Sequence, residues 1–550
     1  MGVKELDGAV EGRVLYPADE GYDGARRVFN AMIDRRPAAI VQCAGADDVV
    51  VAVHHARDHE LPLSVKGGGH SVAGTAVCNG GIMVDLSLMK GLRVDPAAAV
   101  AVAEPGLTLG EFDAGTQAYG LATTTGVVSM TGLAGLTLGG GIGWLNGRYG
   151  LACDNLLEAN VVTADGRLVT AGEADHADLF WALRGGGGNF GIVTSFRYRL
   201  HPVPVVLGGG VTFPPAQARD ALRFCHDFAR GAPDELSTAA SISLDADGRP
   251  VVSVAVCYCG PIEQGVEVVG PLRRFGPPVM DAISPMSYTT LQSAADAGYP
   301  SGRQHYWKAS FLPEITDNAI DVMLAFAADM PSPFTGIGLQ ELCGAASRVA
   351  PTATAFPHRA HHYDCLILAQ WENPSDSARN IAWTRQLFEA MQPFLAGGVY
   401  ANNLGAEENR PSGRRLRPEL RPPRRRESHL RPRQPIPLEP QHHPGPVGAV
   451  SSSRRLPRAS SKSPASSRRR RTSHQRRRFT ASVCHSPDRS WTFGHRVEPR
   501  YNGTFRVAQE LLALRPAEPD DQVFARGGRS TGGGHRGPYF VQTLEGLSAL

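Results

Sequence analysis

The sequence predicts an α+β fold in two parts followed by a tail without regular structure. Three observations carry that reading. From Arg36 to about residue 203, short β-branched apolar runs alternate with amphipathic stretches and are separated by glycine-rich loops. Beyond about residue 203 longer apolar strands alternate with helices, the pattern of an antiparallel sheet flanked by helices. After about Asn409, apolar periodicity stops through about residue 478, and arginine, proline, serine and histidine take over.

The elements follow in order. Residues 1–35 read as a short helical lead-in. Residues 39–43 read as a strand, and 46–59 as an amphipathic helix with Val49, Val50 and Val53 on its apolar side. Strands are expected at 61–65, 81–86 and 100–104, then a helix at 109–119. Residues 160–163 and 167–170 flank Asp165-Gly166, a pair that suits a type I′ hairpin turn. A short helix at 178–183 and a strand at 192–200 close this part. In the second part, strands are expected at 208–213, 239–244 and 251–259, with helices at 215–228, 317–328 and 377–391.

At 550 residues the chain has room for two or three cores. The net charge of +3 conceals an uneven distribution, since basic residues crowd the tail. The opening Met1-Gly2-Val3-Lys4-Glu5-Leu6-Asp7 has no apolar signal core, and no run approaches the roughly 20 apolar residues of a membrane span. Nine cysteines lack metal-like spacing, and Cys257 and Cys259 read as core thiols on one strand face. A reducing, cytoplasmic setting is therefore expected.

Four motifs carry chemistry. Val65-Lys66-Gly67-Gly68-Gly69-His70-Ser71-Val72-Ala73-Gly74 puts a histidine at the end of a glycine run after an apolar segment. Such a run brings backbone N–H groups against an anionic ligand, because no Cβ intervenes; taken alone, it also fits a surface turn with a solvated histidine. Gly126-Val127-Val128-Ser129-Met130-Thr131-Gly132 leads, past Gly135, into Gly139-Gly140-Gly141-Ile142-Gly143-Trp144. The last motif is Gly185-Gly186-Gly187-Gly188-Asn189-Phe190-Gly191-Ile192-Val193-Thr194. Its Gly186-x-Gly188-x-x-Gly191 matches a dinucleotide fingerprint as a bare pattern, but a strand follows where that fingerprint needs a helix, so this reading is rejected. No Gly-Lys-Ser or Gly-Lys-Thr occurs, which excludes a phosphate loop of the NTPase type.

In this order the glycine loops resemble the flavin-binding domain of the vanillyl-alcohol oxidase and p-cresol methylhydroxylase superfamily. Within it they are most similar to the berberine bridge enzyme-like FAD-linked oxidases, over roughly residues 20–410. The resemblance implies FAD joined through the His70 ring to the flavin 8α-methyl, with Lys66 where the family commonly has arginine. It implies cofactor contacts from Lys66, Gly67, Gly68, Gly69, His70, Ser71 and Gly74; from Gly126, Val127, Val128, Thr131, Gly132 and Gly135; from Gly139, Gly140 and Gly141; from Gly191, Ile192 and Val193; and from Asn402. Some relatives add a second, cysteinyl link. Val128 stands at that position and cannot form a thioether, and Cys153 does not match, so a single link with a lower flavin potential and a more open cleft is expected.

Gly397-Gly398-Val399-Tyr400-Ala401-Asn402 resembles the family's Tyr-x-Asn element. It makes Tyr400 the candidate catalytic base and Asn402 a positioning group, against the alternative of a core tyrosine with a satisfied hydroxyl. Phe356-Pro357-His358-Arg359 and residues 366–371 resemble a strand that floors the substrate cleft. Some relatives carry an acid on that strand; its inward positions here read as apolar, so none is assigned, and His358 reads as structural. Thr131 lies where relatives gate oxygen, which leaves oxidase and dehydrogenase open. The implied activity is FAD-dependent oxidation of an alcohol, sugar or secondary metabolite by hydride transfer to flavin N5, with O2 as acceptor giving H2O2. The implied partners are a small-molecule substrate and O2, with no membrane and no nucleic acid.

The implied domains are an FAD-binding domain at 36–203, a substrate domain at 204–396 and a return toward the FAD domain at 397–410. Residues 411–550 are expected to be an aberrant, largely disordered tail. Reverse-translated with suitable codons and shifted by one base, residues 418–424 can encode Arg-Asn-Tyr-Asp-Arg-Leu. Residues 433–443 can likewise encode Asp-Asn-Leu-Phe-Arg-Leu-Asn-His-Asn-Ile, and both strings resemble the family's usual ending. A frameshift between about residues 405 and 418 is therefore expected. It brings two alternatives: an inactive product of a disrupted gene, or a basic-tailed nucleic-acid-binding protein with a vestigial flavin domain.

Overall fold

The first sheet explains why the lead-in is not simply helical. Residues Arg13–Leu15 form a strand that pairs antiparallel with Ala39–Gln42, covering an edge that would otherwise be exposed. Ala39–Gln42, Ile82–Asp85 and Leu63–Lys66 then run parallel, completing the order Arg13–Leu15, Ala39–Gln42, Ile82–Asp85, Leu63–Lys66. Ala39–Gln42 and Ile82–Asp85 are buried along their whole length, as expected of parallel strands covered on both faces. The helix Ala46–Asp58 packs on this sheet through Val49, Ala52, Val53 and Ala56. The computed structural model describes residues 3–405 and 407, all within one compact unit. The tail expected at 411–550, with its shifted reading frame, lies outside the described residues.

A five-stranded antiparallel sheet follows, in the order Leu92–Asp95, Val100–Ala103, Ile192–Arg199, Leu156–Val162, Leu168–Gly172. Its helix Leu109–Gln117 starts at a capping box, Thr108 accepting from the Glu111 N–H while Glu111 accepts from the Thr108 N–H. The hairpin at Asp165-Gly166 forms, but not as type I′. Only Gly166 is left-handed, at φ +80°, and its N–H donates to the Thr163 carbonyl at 2.8 Å. Asp165 stays at negative φ while its carboxylate accepts from Arg167 Nε at 2.6 Å, so the glycine alone closes the turn.

The largest sheet has eight strands and is antiparallel throughout. It runs Met280–Asp281, Val206–Phe213, Pro250–Tyr258, Leu236–Leu244, Gly336–Leu342, His362–Trp371, Gln304–Leu312, with Ser284–Met286 also pairing to Val206–Phe213. Helices Ala218–Arg230, Asp317–Ala327 and Ser377–Met391 share one apolar core with one face of it. Pro215–Gln217 is a 3-10 turn, and the α-helix begins only at Ala218. Alternation sorts the strand His362–Trp371 cleanly. Tyr363, Cys365 and Ile367 join the helix-covered core, while Asp364, Leu366 and Leu368 face a cavity on the other side.

Cys257 and Cys259 are buried together in the core, where burial pushes the Cys259 thiol to about 11 and the Cys257 thiol well above its ordinary value. All cysteines among the described residues are free. No helix among them is long and apolar enough to cross a membrane.

Candidate functional site

The cavity spans about 1250 Å³. That exceeds the roughly 300–1,000 Å³ of an ordinary small-molecule pocket, leaving room for a dinucleotide and a second molecule. One end is walled by backbone. Gly67, Gly68, Gly69, His70 and Ser71 line it, together with Gly126, Val127, Val128, Thr131, Gly132 and Gly135, and with Gly191, Ile192 and Val193. Two of these loops touch through main chain alone: a Cβ on Gly68 would lie 2.5 Å from both the N and the Cα of Gly132. Only glycine at both positions allows this approach.

His70 stands at the junction of the loops with the rest of the cavity. Its ring stacks on Phe29 at 3.9 Å, and Phe29 stacks on His305 at 4.2 Å from the other side. Asn30 ties this layer down, its side chain donating to the Val72 and His305 carbonyls at 2.9 and 3.0 Å. Burial lowers the His70 pKa to about 4, and its Nε2 is sealed from water without a hydrogen-bond partner. A neutral imidazole with an orphaned ring nitrogen at the cavity edge suits attachment to an electrophilic carbon, so the cradle and this nitrogen together fit FAD.

Five residues expected at the cofactor lie outside the cavity wall. Lys66 turns away, its Nζ donating to the Ala25 carbonyl at 2.7 Å and lying 3.8 Å from the Asp85 carboxylate. Gly74 packs against Ile33, where a Cβ would come within 2.6 Å. Gly139, Gly140 and Gly141 serve the other end of the cavity. A Cβ on Gly139 would strike the Asn402 amide, and the Gly141 N–H, from a backbone at φ +80°, donates to Tyr400.

Tyr400 and Asn402 do line the cavity. The Tyr400 Oη accepts from the Gly141 N–H at 3.0 Å, the Ile142 N–H at 3.1 Å and Asn402 Nδ2 at 2.7 Å. Asn402 is fixed in turn by donating to the Leu136 carbonyl at 3.0 Å. Three donors converging on one phenol oxygen stabilise its anion, while burial, the larger effect, raises its pKa above the ordinary tyrosine value. The side chain is thus packed, with 5% of its surface exposed, and its oxygen is held by three donors.

The strand His362–Trp371 is apolar at Leu366 and Leu368 as expected, but not at Asp364. Asp364 is buried yet lines the cavity, with Oδ2 accepting from Asn403 Nδ2 at 2.6 Å and Oδ1 unpartnered. Burial raises its pKa to about 7, and its charge in turn raises that of Tyr400. Phe356-Pro357-His358-Arg359 is a loop, not part of that strand, because Arg359 turns inward to pair bidentately with Asp154 at 2.7 and 2.8 Å. His358 lines the cavity against Phe311, at 4.5 Å between ring centres. Trp307 and Gln340, which no motif singled out, complete this end.

Comparison with known proteins agrees with this geometry. The FAD binding domain family matches residues 37–172. An FAD-linked oxidoreductase of Dictyostelium discoideum is 32% identical over 405 residues, spanning 73% of this chain and 88% of that protein. The (R)-6-hydroxynicotine oxidase of Paenarthrobacter nicotinovorans is 34% identical over 304 residues, covering 54% of this chain and 66% of that one. The crystal structure of 6-hydroxy-D-nicotine oxidase from Arthrobacter nicotinovorans superposes with a TM-score of 0.66 at 28% identity, over 72% of this chain and 89% of its own. The moss Physcomitrella patens BBE-like 1 shares the fold, with a TM-score of 0.68 at 23% identity over 74% of this chain and 91% of its own. The chain belongs to the FAD-linked oxidoreductases.

Proposed function

We propose that this FAD-linked oxidoreductase oxidises a carbon bearing a hydroxyl group, in an alcohol, sugar or secondary metabolite, at the Tyr400 end of the cavity. The observation that carries the reading is continuity: one cavity runs from the glycine cradle and His70 to Tyr400 and Asp364. When bound, FAD would supply the hydride acceptor for the substrate carbon, with O2 as the proposed final electron acceptor giving H2O2. His70 is the proposed single covalent anchor, and Val128 at the cavity wall supplies no second one.

The chain's own residues orient the substrate and move its proton. The Tyr400 Oη, fixed by three donors, has the cavity as its remaining direction and meets the substrate hydroxyl there. Tyr400 is the proposed proton acceptor, acting as the phenolate that its three donors stabilise once the phenol proton has left through the cavity to solvent. Asp364, buried at the same end with its pKa raised to about 7, is the proposed second proton-holding group. Trp307, Leu366 and Leu368 shield this end from water and favour an apolar substrate body. Residues 36–203 are assigned to the FAD-binding domain and 204–396 to the substrate domain, with 397–410 returning to the flavin. The free thiols support a cytoplasmic setting.

The test is acid precipitation of the purified full chain followed by a substrate screen with peroxide detection. Flavin absorbance retained in the washed pellet, and peroxide formed from a hydroxylated substrate, are the expected results. Flavin released into the supernatant removes the covalent link. A holoprotein that reduces its flavin with substrate but yields no peroxide removes O2 as acceptor.

A further inference from the structure

A second group of chemistry-bearing side chains lies outside the flavin cavity. The helix Ala46–Asp58 carries His55 in its last turn and ends at His59, one turn further on, so both imidazoles share one face. Their rings stack at 4.2 Å. Glu5, in the 3-10 turn Val3–Leu6, reaches the same spot, with its Oε2 3.6 Å from His59 Nε2. One ligand atom from each of Glu5, His55 and His59 lies within 4.8 Å of the others.

We propose that Glu5, His55 and His59 form a surface site for a divalent transition metal, Zn²⁺ or a similar borderline cation, that pins the N-terminal turn to the helix.

Three features argue for a metal over a chance cluster. His55 is only 9% exposed, and its Nε2 is buried with no hydrogen-bond partner, an expensive arrangement unless a ligand takes the lone pair. His59 Nδ1 lies 3.0 Å from the His55 carbonyl, which can only accept, so Nδ1 carries a proton and Nε2 is the ring nitrogen turned to Glu5. The backbone bond to Nδ1 is also the kind of outer support that fixes the tautomer of a ligating histidine. The 3.6 Å between ligand atoms approaches the roughly 3.3 Å edge of a tetrahedron with 2.0–2.1 Å bonds, and the exposed side leaves water as the fourth ligand. Leu6, one residue beyond Glu5, is buried in the core beneath this helix, so the carboxylate is already held close.

The experiment strips the full chain with EDTA and titrates Zn²⁺ against a chromogenic chelator, for the wild type, His59→Ala and Glu5→Gln. Both substituted side chains are substantially exposed, at 34% and 70%, so the fold tolerates them, and an unchanged circular dichroism spectrum verifies this. The expected result is one equivalent bound by the wild type, weakened at least tenfold in His59→Ala and several-fold in Glu5→Gln, with a Zn²⁺-dependent rise in Tm that His59→Ala loses. Other histidines, such as His442 and His443, can also take up zinc, but that uptake survives His59→Ala. A wild type that binds no zinc overturns the proposal, as does binding of equal stoichiometry and affinity in His59→Ala.

Discussion

The two ends of the flavin cavity are built by opposite means. At the glycine end the wall is main chain, and Gly68 and Gly132 meet with no side chain between them. At the other end the wall is side chain: Tyr400, Asp364 and Trp307 come from segments far apart in sequence. A backbone wall is exacting about shape and nearly indifferent to chemistry, since every residue offers the same N–H. A side-chain wall tolerates changes of shape better, but depends on which atom sits where. Substitutions should therefore fail differently at the two ends, by losing the cofactor at one and by losing turnover with the cofactor kept at the other.

The largest effect is expected at the backbone end. Gly68→Val places a Cβ 2.5 Å from Gly132 main-chain atoms, which cannot yield as a flexible side chain can. The flavin-to-protein absorbance ratio of the purified variant should fall at least tenfold; full flavin content would show that the loops can part, and the contrast would break. Tyr400→Phe is next. It keeps the ring and its packing while removing the oxygen on which Gly141, Ile142 and Asn402 converge. Turnover should drop about a hundredfold or more, the scale of a lost general base, with flavin content unchanged. Loss of flavin in this variant would mean that Tyr400 belongs to the cradle.

His70→Ala sits on the boundary and reads both ends. Removing the ring should leave FAD bound by the loops but extractable with acid, and turnover reduced about tenfold through a shifted flavin potential and looser placement. The Phe29 ring loses one of its two stacking partners, so a small fall in Tm accompanies the change. Flavin that still resists acid would move the covalent anchor elsewhere.

The same contrast explains what the sequence discloses. The cradle is legible because a loop built from backbone advertises itself through its glycines, and Gly67-Gly68-Gly69-His70 and Gly126, Val127, Val128, Thr131 and Gly132 line the cavity. Legibility fails where a glycine serves another purpose: Gly139 makes room for Asn402, Gly140 for Phe356 and Gly141 for Ala152, while the Gly141 N–H donates to Tyr400. Many strands and helices are legible because their periodicity is local, although Leu156–Val162 begins four residues before the expected 160 and Leu236–Leu244 three before 239, and Gln304–Leu312 and Gly336–Leu342 are not expected at all. The strand Arg13–Leu15 is not, since pairing with Ala39–Gln42, some 25 residues on, decides it. Asp364 was within reach of a stricter reading of the same strand. Leu366 and Leu368 are spaced by two from it, so a cleft-facing Leu366 entails a cleft-facing Asp364. Trp307 and Gln340 offer no such signal; each belongs to a strand whose neighbour is fixed only by sheet order.

The smallest effect, and the one that tests the side-chain end most finely, is expected from Asp364→Asn. The amide keeps the size of the carboxyl, and its oxygen can still accept from Asn403. Burial raises the folded-state pKa from 3.8 to about 7, so the folded chain holds a proton that the unfolded chain releases near its ordinary value. That contribution to stability is complete below about pH 4 and disappears as pH rises through about 7. The variant carries no charge to bury, so its Tm should match the wild type near pH 4 and exceed it increasingly up to about pH 7. Above that the gain should level off at about 2 kcal/mol, below the ~4 kcal/mol ceiling set by a carboxyl raised from 3.8 to about 7. Asp113, also buried with its pKa raised to about 7, titrates in both proteins and cancels in the comparison. Turnover should fall by about tenfold, and if Asp364 is the ionising group, a wild-type rate that rises through about pH 7 should become flat in the variant. If the variant keeps that rise, the ionising group lies elsewhere and Asp364 only shapes the pocket. If it gains no stability above pH 7, the carboxylate is better solvated than its burial implies, and the cavity floor is wetter than its leucines suggest.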